Sequence, residues 1–320
     1  MPTAFVTVWV MRSVVVRRFG GPEVLELVED DLPDPLAHQV RVRVAASSVN
    51  PIDLSLRAGR LTSAGLVAPA ERLGMGWDVA GVVSATGDAV THPAVGDRVI
   101  GLRDLLFADG AHADEVVLDA SATAPAPSSA SLSEAATLPL NALTADRALD
   151  LTGLRRGQTL LVTGAAGAVG GYVLQLAALR GLRTVAVAGA DDESLVQTLG
   201  AGEFVPRGER IGAAVRAVVP GGVDAVVDAA VVGIAAHDAL RGGGTFVALV
   251  APFAPPPIRG TRVVVQEVWA DGPRLTELAA LVDAGHLSLR VARALPLAEV
   301  ATAHRMVEAG GLRGRVVLEP

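Results

Sequence analysis

The sequence predicts an α/β protein with a β-rich first domain and a second domain built on a doubly wound parallel sheet. Its 320 residues are more than one ordinary domain needs and suit two. Short valine-rich runs, each ending in Gly, Pro, Asp or Asn, fill the chain up to about residue 124. From residue 131 onward, helix-like and strand-like patterns alternate, which is typical of a parallel sheet covered by helices.

The β-rich part begins at Arg12 and contains short apolar runs at the spacing of a barrel or sandwich. The predicted strands are Val14–Val16, Val24–Val28, Val40–Val44, Val79–Ala85, Arg98–Gly101 and Glu115–Leu118. The Pro- and Ser-rich segment 123–131 is interpreted as the connector out of this domain. Residues 1–10 lack the basic region and cleavage site of a signal peptide, and we interpret them as an extension ahead of a native start at Met11.

The second part opens with Ser131 and Glu134, a capping-box pattern that predicts a helix start. Pro139 interrupts this helix, which resumes over Ala142–Leu149. The elements predicted after residue 200 are strand Phe204–Val205, helix Ile211–Val218, strand Asp224–Val227, helix Gly233–Leu240, turn Gly242–Gly244, strand Thr245–Val250, strand Arg262–Val268, a helix from Pro273 to Gly285, helix Leu297–Ala309 and strand Arg315–Leu318.

Between them lies a strand, turn and helix over residues 160–181, followed by a second strand at Thr184–Ala188. The turn is a dinucleotide fingerprint with alanine in the first glycine position: Ala165, Ala166, Gly167, Ala168, Val169 and Gly170. A pyrophosphate reaches the helix N-terminus only if no side chain intervenes at Gly167, and Gly170 lets helix and strand pack closely. We therefore predict a dinucleotide site here; a glycine-rich turn in another doubly wound sheet is the alternative.

Composition excludes several classes of function. The formal net charge of -7 and the pI near 5.4 argue against a nucleic-acid partner, because phosphate binding needs a basic face. No run approaches the ~20 apolar residues of a membrane span. There is no cysteine for disulfides, thiol nucleophiles or cysteine zinc sites, and no lysine for Schiff bases or a P-loop. The histidines show no metal-binding spacing, so we expect no metal. The missing signal-peptide features lead us to expect a cytoplasmic protein.

Several motifs follow one another in a characteristic order. They are SVNPID at 48–53, GWDVAGVV at 76–83, VGDRV at 95–99, EAATLPL at 134–140, LTA at 143–145, the fingerprint, and RGRVVL at 313–318. In this order, which covers almost the whole chain from Met11, they resemble the medium-chain dehydrogenase/reductase superfamily, and within it the zinc-independent quinone oxidoreductase (zeta-crystallin-like) branch. Zinc branches carry a Gly-His-Glu motif where Gly76, Trp77 and Asp78 stand here.

The resemblance implies a discontinuous catalytic domain of GroES-like β-barrel type, residues 1–130 and 272–320, with a Rossmann domain inserted at 131–271. It also implies a homodimer, and a small-molecule substrate that enters between the domains. The implied activity is NADPH-dependent hydride transfer to a quinone or an α,β-unsaturated carbonyl. Two alternatives remain open: an enoyl reductase or tailoring enzyme of polyketide metabolism, and a non-catalytic NADP(H)-binding sensor or structural module.

The resemblance also assigns residues of the first domain and of the interdomain helix. Asn50, before Pro51, is the candidate catalytic residue, which would hydrogen-bond substrate or cofactor; a turn residue is its alternative. The candidate substrate pocket comprises Ser55, where relatives often have tyrosine, Trp77, for which a core position is the alternative, and Asn141, where the family usually has glycine.

Cofactor contacts are implied for Thr144, Leu249 and Arg315, the last by pairing with the pyrophosphate. The second strand ends in small residues, Gly189 and Ala190, which leave space for the 2′-phosphate and favour NADPH over NADH. Asp191 and Asp192 would repel that phosphate if they pointed at it, and capping of the next helix is their alternative. His112 and His304 are interpreted as structural core residues.

Overall fold

The computed structural model describes residues 10–32, 34–103 and 110–320. Within them the chain divides into two compact units. The first unit runs up to Leu140 and includes Trp269–Asp283 and Leu289–Pro320, whereas the second comprises Asn141–Val268 and Ala284–Ser288. Residues 131–140 and 269–271, expected in the inserted domain, thus lie in the first unit. The proposed extension, residues 1–10, lies outside the described residues except for Val10.

The strands are β1 (Val10–Val16), β2 (Glu26–Asp31), β3 (Gln39–Val49), β4 (Leu73–Gly74), β5 (Asp78–Thr86), β6 (Arg98–Leu102), β7 (Glu115–Asp119), β8 (Thr123–Pro125), β9 (Thr159–Thr163), β10 (Arg183–Ala188), β11 (Glu203–Pro206), β12 (Val223–Asp228), β13 (Leu240–Ala248), β14 (Arg262–Val265), β15 (Val291–Pro296) and β16 (Arg315–Glu319). The helices are α1 (Pro51–Arg57), α2 (Arg60–Ser63), α3 (Leu132–Ala135), α4 (Pro139–Thr152), α5 (Ala168–Leu179), α6 (Glu193–Thr198), α7 (Ile211–Val218), α8 (Ile234–His237), α9 (Gly272–Asp283) and α10 (Val300–Ala309). No described helix is long and apolar enough to cross a membrane.

The first unit is built on sheets that are antiparallel except where β15 pairs in parallel with β16, and it contains the short strands that the valine-rich runs predicted. Its larger sheet has the order β15-β16-β3-β5-β6-β8, and β7 also pairs with β3. β3 buries alternate residues, Val40, Val42 and Val44, because successive side chains of a strand point to opposite faces. β16 pairs antiparallel with β3, with Val316 opposite Val49, so the end of the chain completes a sheet that begins near its start.

The second unit contains the predicted parallel sheet, in the order β11-β10-β9-β12-β13-β14. The α/β class with a doubly wound sheet is therefore confirmed. β9 lies between β10 and β12, so the order of strands reverses at β9. In open α/β sheets, ligands bind at the carboxyl ends of the strands beside such a reversal.

Several element predictions were wrong in detail: the helix predicted to resume at Ala142 begins at Pro139, and the strand predicted over Arg262–Val268 ends at Val265. The turn predicted at Gly242–Gly244 lies inside β13, where Val223 pairs with Leu240 and Ala225 with Thr245, so extra residues bulge within one strand. The helix predicted from Gly233 is shorter and spans only α8. The strand predicted from Val24 begins at Glu26, because Pro22 starts a 3-10 turn that ends at Val24.

Candidate functional site

The fingerprint turn joins β9 to α5 at the carboxyl edge of the second unit's sheet. Gly164 has a φ of 60° and makes the tight turn, and the Gly167 N–H donates to the Gly164 carbonyl at 2.9 Å. A Cβ on Gly170 would lie 2.3 Å from Gly164 O, so helix and turn meet too closely for any other residue. Gly167 is the N-cap of α5, and the turn presents backbone N–H groups at a helix start, an arrangement that suits a pyrophosphate.

Alanine in the first fingerprint position has a structural explanation. Ala165 is fully buried, and its N–H donates to Val187 O at 3.1 Å, which ties the turn to β10. The left-handed conformation belongs to the preceding residue, Gly164, so position 165 accepts a side chain. Ala166 is also buried, whereas Ala168 and Val169 are half-buried in the first turn of α5.

The end of β10 is the part of the second unit where a 2′-phosphate would be recognised. Gly189 is half-buried and Ala190 is exposed. The Asp192 carboxylate accepts the Gly189 N–H at 3.2 Å, so this side chain is engaged with the backbone of the same turn, whereas Asp191 is exposed. The Arg207 N–H donates to Ala188 O at 2.7 Å, which brings an exposed arginine beside this strand end. The sequence did not predict Arg207, although a basic residue directly after the third strand of this sheet could have indicated it.

The loop after β12 packs on the fingerprint turn and was also missed. Asp228 is almost fully buried at the end of that strand, and its carboxylate accepts N–H groups from Val232 at 3.2 Å and Gly233 at 2.8 Å. The Thr163 hydroxyl donates to the same carboxylate at 2.5 Å. An aspartate at the end of a predicted strand was the signal that could have indicated this loop.

Three more residues of the second unit were predicted to contact the substrate or the cofactor, and they lie outside the fingerprint: Asn141, Thr144 and Leu249. Asn141 is fully buried and Thr144 is largely buried, one turn apart on α4. Leu249 is half-buried and directly follows β13, at the same edge of the parallel sheet as the fingerprint turn. Asn141 has an interaction partner within the protein.

In the first unit, Asn50 belongs to a buried polar cluster that it shares with two aspartates. Its amide nitrogen donates to Asp78 Oδ2 at 2.7 Å and lies 3.2 Å from Ser48 O. The backbone N–H of Asn50 donates to Asp53 Oδ2 at 2.7 Å, which caps α1. Asp78 also accepts from the Ser48 hydroxyl and, at 2.7 Å, from the Leu140 N–H. Asn50 was a candidate from the sequence, whereas its carboxylate partners Asp53 and Asp78 were not predicted.

Burial controls the charge of this cluster. It raises the pKa of Asp53 from 3.8 to about 7, because the low-dielectric interior disfavours the carboxylate; hydrogen bonds from Asn50 and Gly76 oppose this shift, whereas the negative charge of Asp78 adds to it. Burial raises the pKa of Asp78 in the same way, against its hydrogen bonds from Ser48, Leu140 and Asn50. The positive charge of Arg315 lowers the pKa of both carboxyl groups, so this predicted pyrophosphate ligand lies close to the cluster.

The two candidate pocket residues of the first unit differ in their surroundings. Ser55 is half-buried on α1, and its hydroxyl donates to Pro51 O at 3.3 Å, the residue one turn earlier. Trp77 is 5% exposed, and its indole Nε1 has no hydrogen-bond partner among the residues that the structure describes. A buried tryptophan normally finds such a partner, so this N–H is a donor available to a ligand or water.

Two buried histidines lie beside the cluster. The His112 Nδ1 is 2.9 Å from the Ser47 hydroxyl, and its Nε2 is 4.0 Å from Asp53 Oδ2. Burial lowers the pKa of His112 to about 3 and that of His304 to about 2, so both rings are neutral. Arg57 lies 3.2 Å from His304 Nδ1 and pairs with Glu308. Because arginine only donates, His304 Nδ1 is the acceptor.

Known proteins are similar to this chain in sequence and in fold, some of them along nearly its whole length. The family described as alcohol dehydrogenase GroES-like domain matches residues 36–128, and the family described as zinc-binding dehydrogenase matches residues 199–318. Rat quinone oxidoreductase is 36% identical over 196 residues, a match that covers 60% of this chain and 57% of the rat protein. The match therefore spans little more than half of that relative's length.

Two further proteins match over much greater lengths. The Arabidopsis thaliana chloroplastic NADPH-dependent alkenal/one oxidoreductase is 30% identical over 97% of this chain and 80% of its own length. The chain belongs to the medium-chain dehydrogenase/reductase superfamily, in its quinone oxidoreductase branch. The quinone oxidoreductase of Coxiella burnetii has the same fold, with a TM-score of 0.85, 26% identity and coverage of 98% and 100% of the two chains.

The description of one matching family refers to zinc. This member of the superfamily has no cysteine in its sequence. Among residues 10–32, 34–103 and 110–320, no three His, Asp or Glu side chains lie close enough together to hold a metal ion. The donor set of the described residues therefore does not fit a zinc site.

Proposed function

We propose that this chain is an NADPH-dependent reductase that transfers hydride to a quinone or to the β-carbon of an α,β-unsaturated carbonyl, without a metal. The fingerprint turn carries the proposal, because its close backbone approach at Gly170 and its position at the strand reversal suit a dinucleotide. The names of the rat, Arabidopsis and Coxiella relatives support the choice of acceptor.

In this proposal NADPH supplies the reactive hydride, and the protein supplies position and hydrogen bonds. Backbone N–H groups of the turn and of the α5 N-terminus bind the pyrophosphate. Thr144, Leu249, Gly189 and Ala190 complete the cofactor contacts of the second unit, and Ser55 and Trp77 are the proposed substrate contacts of the first. No strong general acid was identified from the sequence, so the proton that completes the reduction comes from water.

Asn50 is proposed to orient the substrate or the nicotinamide, and its surroundings define how. Its amide nitrogen donates to Asp78 at 2.7 Å and to Ser48 O at 3.2 Å, so the two carboxamide hydrogens are committed inside the protein. Asn50 therefore does not donate to an oxyanion and acts by positioning the segment that carries it. Asn50→Ala is expected to lower kcat/KM by ~10-fold or more, because the buried Asp78 carboxylate loses a charge-assisted donor and the segment that carries position 50 shifts. Unchanged kinetics would remove Asn50 from the site.

The preference for NADPH over NADH is supported by the end of β10. Asp192 bonds the Gly189 N–H, and Arg207 provides a cation beside Ala188. Arg207→Ala should weaken NADPH binding by ~10-fold or more while leaving NADH binding within about twofold, because only NADPH carries the 2′-phosphate. Arg183→Ala, at the other end of β10, is the control. A wild-type preference for NADH would contradict the assignment.

The oligomeric state and the location are further parts of this proposal. β14 forms one edge of the second unit's sheet and pairs with β13 alone among the described strands, and Val265 on it is 40% exposed. Such an edge suits pairing with a second copy, so we propose a homodimer, to be tested by light scattering. The proposed cytoplasmic location is to be tested by cell fractionation.

The decisive experiment measures NADPH oxidation in a stopped-flow instrument against a panel of quinones and enones. Oxidation with either class supports the reductase, and a preference for acyl-thioester enones would favour the polyketide enoyl reductase. Binding of NADPH without oxidation by any acceptor would support the non-catalytic module instead. One observation favours that second candidate: Ser55, which replaces the frequent tyrosine of relatives, donates to Pro51 O within its own helix.

A further inference from the structure

We propose that the amino edge of the second unit's parallel sheet is a docking surface for a membrane that carries anionic phospholipids. The amino edge comprises the segments that enter β9, β10, β12, β13 and β14, together with the helix ends beside them. Three observations carry the inference: a concentration of arginines, the way their charges are held, and exposed apolar side chains among them. The inference goes beyond the proposed function, because the fingerprint turn lies at the opposite, carboxyl edge.

Arginine is distributed unevenly in the second unit. The unit contains eleven arginines and eleven aspartates and glutamates, so it is neutral as a whole and the formal charge of -7 belongs to the first unit. All strands of its sheet run parallel, so their amino ends lie at one edge. Eight of the eleven arginines lie at that edge: Arg155, Arg156, Arg180, Arg183, Arg216, Arg241, Arg259 and Arg262.

Contacts between neighbouring segments make the amino edge a continuous surface. The Arg183 Nε donates to Gly157 O at 3.0 Å, which joins the segments that enter β10 and β9. The Asp224 carboxylate accepts from the Thr159 N–H and from Arg241 Nε, both at 2.7 Å, and so joins β9, β12 and β13. The arginines that these segments carry are therefore neighbours in space.

Most of the arginine charge at this edge is not neutralised by carboxylates. Among the described residues, ion pairs engage only two of the eight arginines, Arg180 with Asp146 and Asp150, and Arg241 with Asp224. Four others donate to main-chain carbonyls, which carry no full negative charge: Arg183, Arg216, Arg259 and Arg262. Glu203 and Asp238 add two more carboxylates, so arginines still outnumber acidic residues along the edge.

Exposed apolar side chains lie among these arginines. Leu179 is 48% exposed, Val218 and Ile258 are each 44% exposed, and every one of them lies within two residues of an arginine of this edge. Arginine binds lipid phosphates through paired N–H donors, while apolar side chains enter the interfacial layer of a bilayer. A nucleic-acid surface would leave these apolar side chains without a role, so the combination favours a membrane.

The test measures co-sedimentation of the full chain with lipid vesicles in the absence of cofactor. The wild type should bind vesicles of phosphatidylcholine with about one-third phosphatidylserine, should not bind phosphatidylcholine alone, and should be released as the salt concentration rises. Arg155→Gln combined with Arg156→Gln should lower the binding constant ~25-fold, because each arginine near an anionic surface contributes ~fivefold. Ile258→Ser should lower it ~threefold or more, because an apolar contact with the interface is lost.

Arg207→Gln combined with Arg210→Gln is the matched control. It removes two exposed arginines that follow β11, at the carboxyl edge of the same sheet, so vesicle binding should stay within about twofold of the wild type. Urea unfolding of each variant verifies that weaker binding does not come from a less stable chain.

The inference is overturned if the wild type does not bind anionic vesicles, if it binds neutral vesicles equally well, or if the two double variants weaken binding to the same extent. Displacement of the vesicles by single-stranded RNA, together with unchanged binding of Ile258→Ser, would also overturn it and would assign the edge to a nucleic acid. None of these outcomes depends on NADPH, so none bears on the proposed reductase.

Discussion

Gly167→Ala should separate cofactor binding from folding in this protein. Gly167 has a φ of -73° and a ψ of 176°, which alanine adopts freely. A Cβ there would lie 3.1 Å from Gly164 O, with no other atom within 4 Å, so a small shift accommodates it. Because glycine-to-alanine changes at compatible sites gain ~0.4–1 kcal/mol from the unfolded state, the unfolding free energy should change by less than about 1 kcal/mol.

The same methyl group should strongly weaken cofactor binding. It occupies the space through which a pyrophosphate would approach the α5 N-terminus, so N–H bonds to the charged phosphate would be lost. Hydrogen bonds to a charged group contribute ~1.5–3 kcal/mol each, and loss of one corresponds to ~10 to 100-fold in Kd. Titration with NADPH measures this change. An unaltered Kd would refute our reasoning about the phosphate position.

Two other glycines serve as controls for this experiment. A Cβ on Gly170 would lie 2.3 Å from Gly164 O and 2.8 Å from Ala165 Cα, both backbone atoms, so Gly170→Ala should cost about 1–3 kcal/mol in unfolding free energy and lose binding as well. A Cβ on Gly221 would have no described atom within 4 Å, so Gly221→Ala should leave the Kd unchanged and change the unfolding free energy by less than about 1 kcal/mol. Stability and affinity thus vary independently across the series.

Two predictions concern buried charges of the first unit. Because the pKa of Asp53 rises from 3.8 to about 7 on folding, its stabilising contribution is present below pH 4 and is lost as the pH rises to about 7. In urea unfolding, the free energy of unfolding of the wild type, relative to that of Asp53→Asn, should fall by up to about 1.4 kcal/mol per pH unit across that window. A difference independent of pH would show that Asp53 is ionised throughout. Glu308→Gln should cost about 3 kcal/mol, although Glu308 is 38% exposed, because it leaves the buried Arg57 guanidinium without an anion. A cost below about 1 kcal/mol, measured by urea unfolding, would show that water solvates Arg57.

Local signals explain which parts of the fold could be predicted from the sequence. Alternating valines specified β3, and the capping box at Ser131 is present, with the Glu134 carboxylate accepting the Ser131 N–H at 2.9 Å. The fingerprint was recognised because strand, turn and helix are contiguous. The glycines of β13 were interpreted as a turn, because a bulge depends on pairing with β12, which no local pattern reveals.

The candidate site was less predictable, because its organising groups come from distant positions. Asn50 attracted attention as an asparagine before proline, but its partner Asp78 is 28 residues away, and their bond follows from the pairing of β3 with β5. Arg207 reaches Ala188 only through the pairing of β11 with β10. The loop after β12 is held by Asp228 together with Thr163, which comes from the neighbouring strand β9. Sequence proximity carries no information about such contacts.

Aspartates at the candidate sites have a shared role that explains why the sequence alone did not assign them. Asp53 accepts the backbone N–H of Asn50, Asp192 that of Gly189, and Asp228 those of Val232 and Gly233. Each carboxylate fixes a loop by bonding its main chain, a task that any strand-end or turn aspartate is able to perform. Replacing one of them should therefore shift the main chain of its loop.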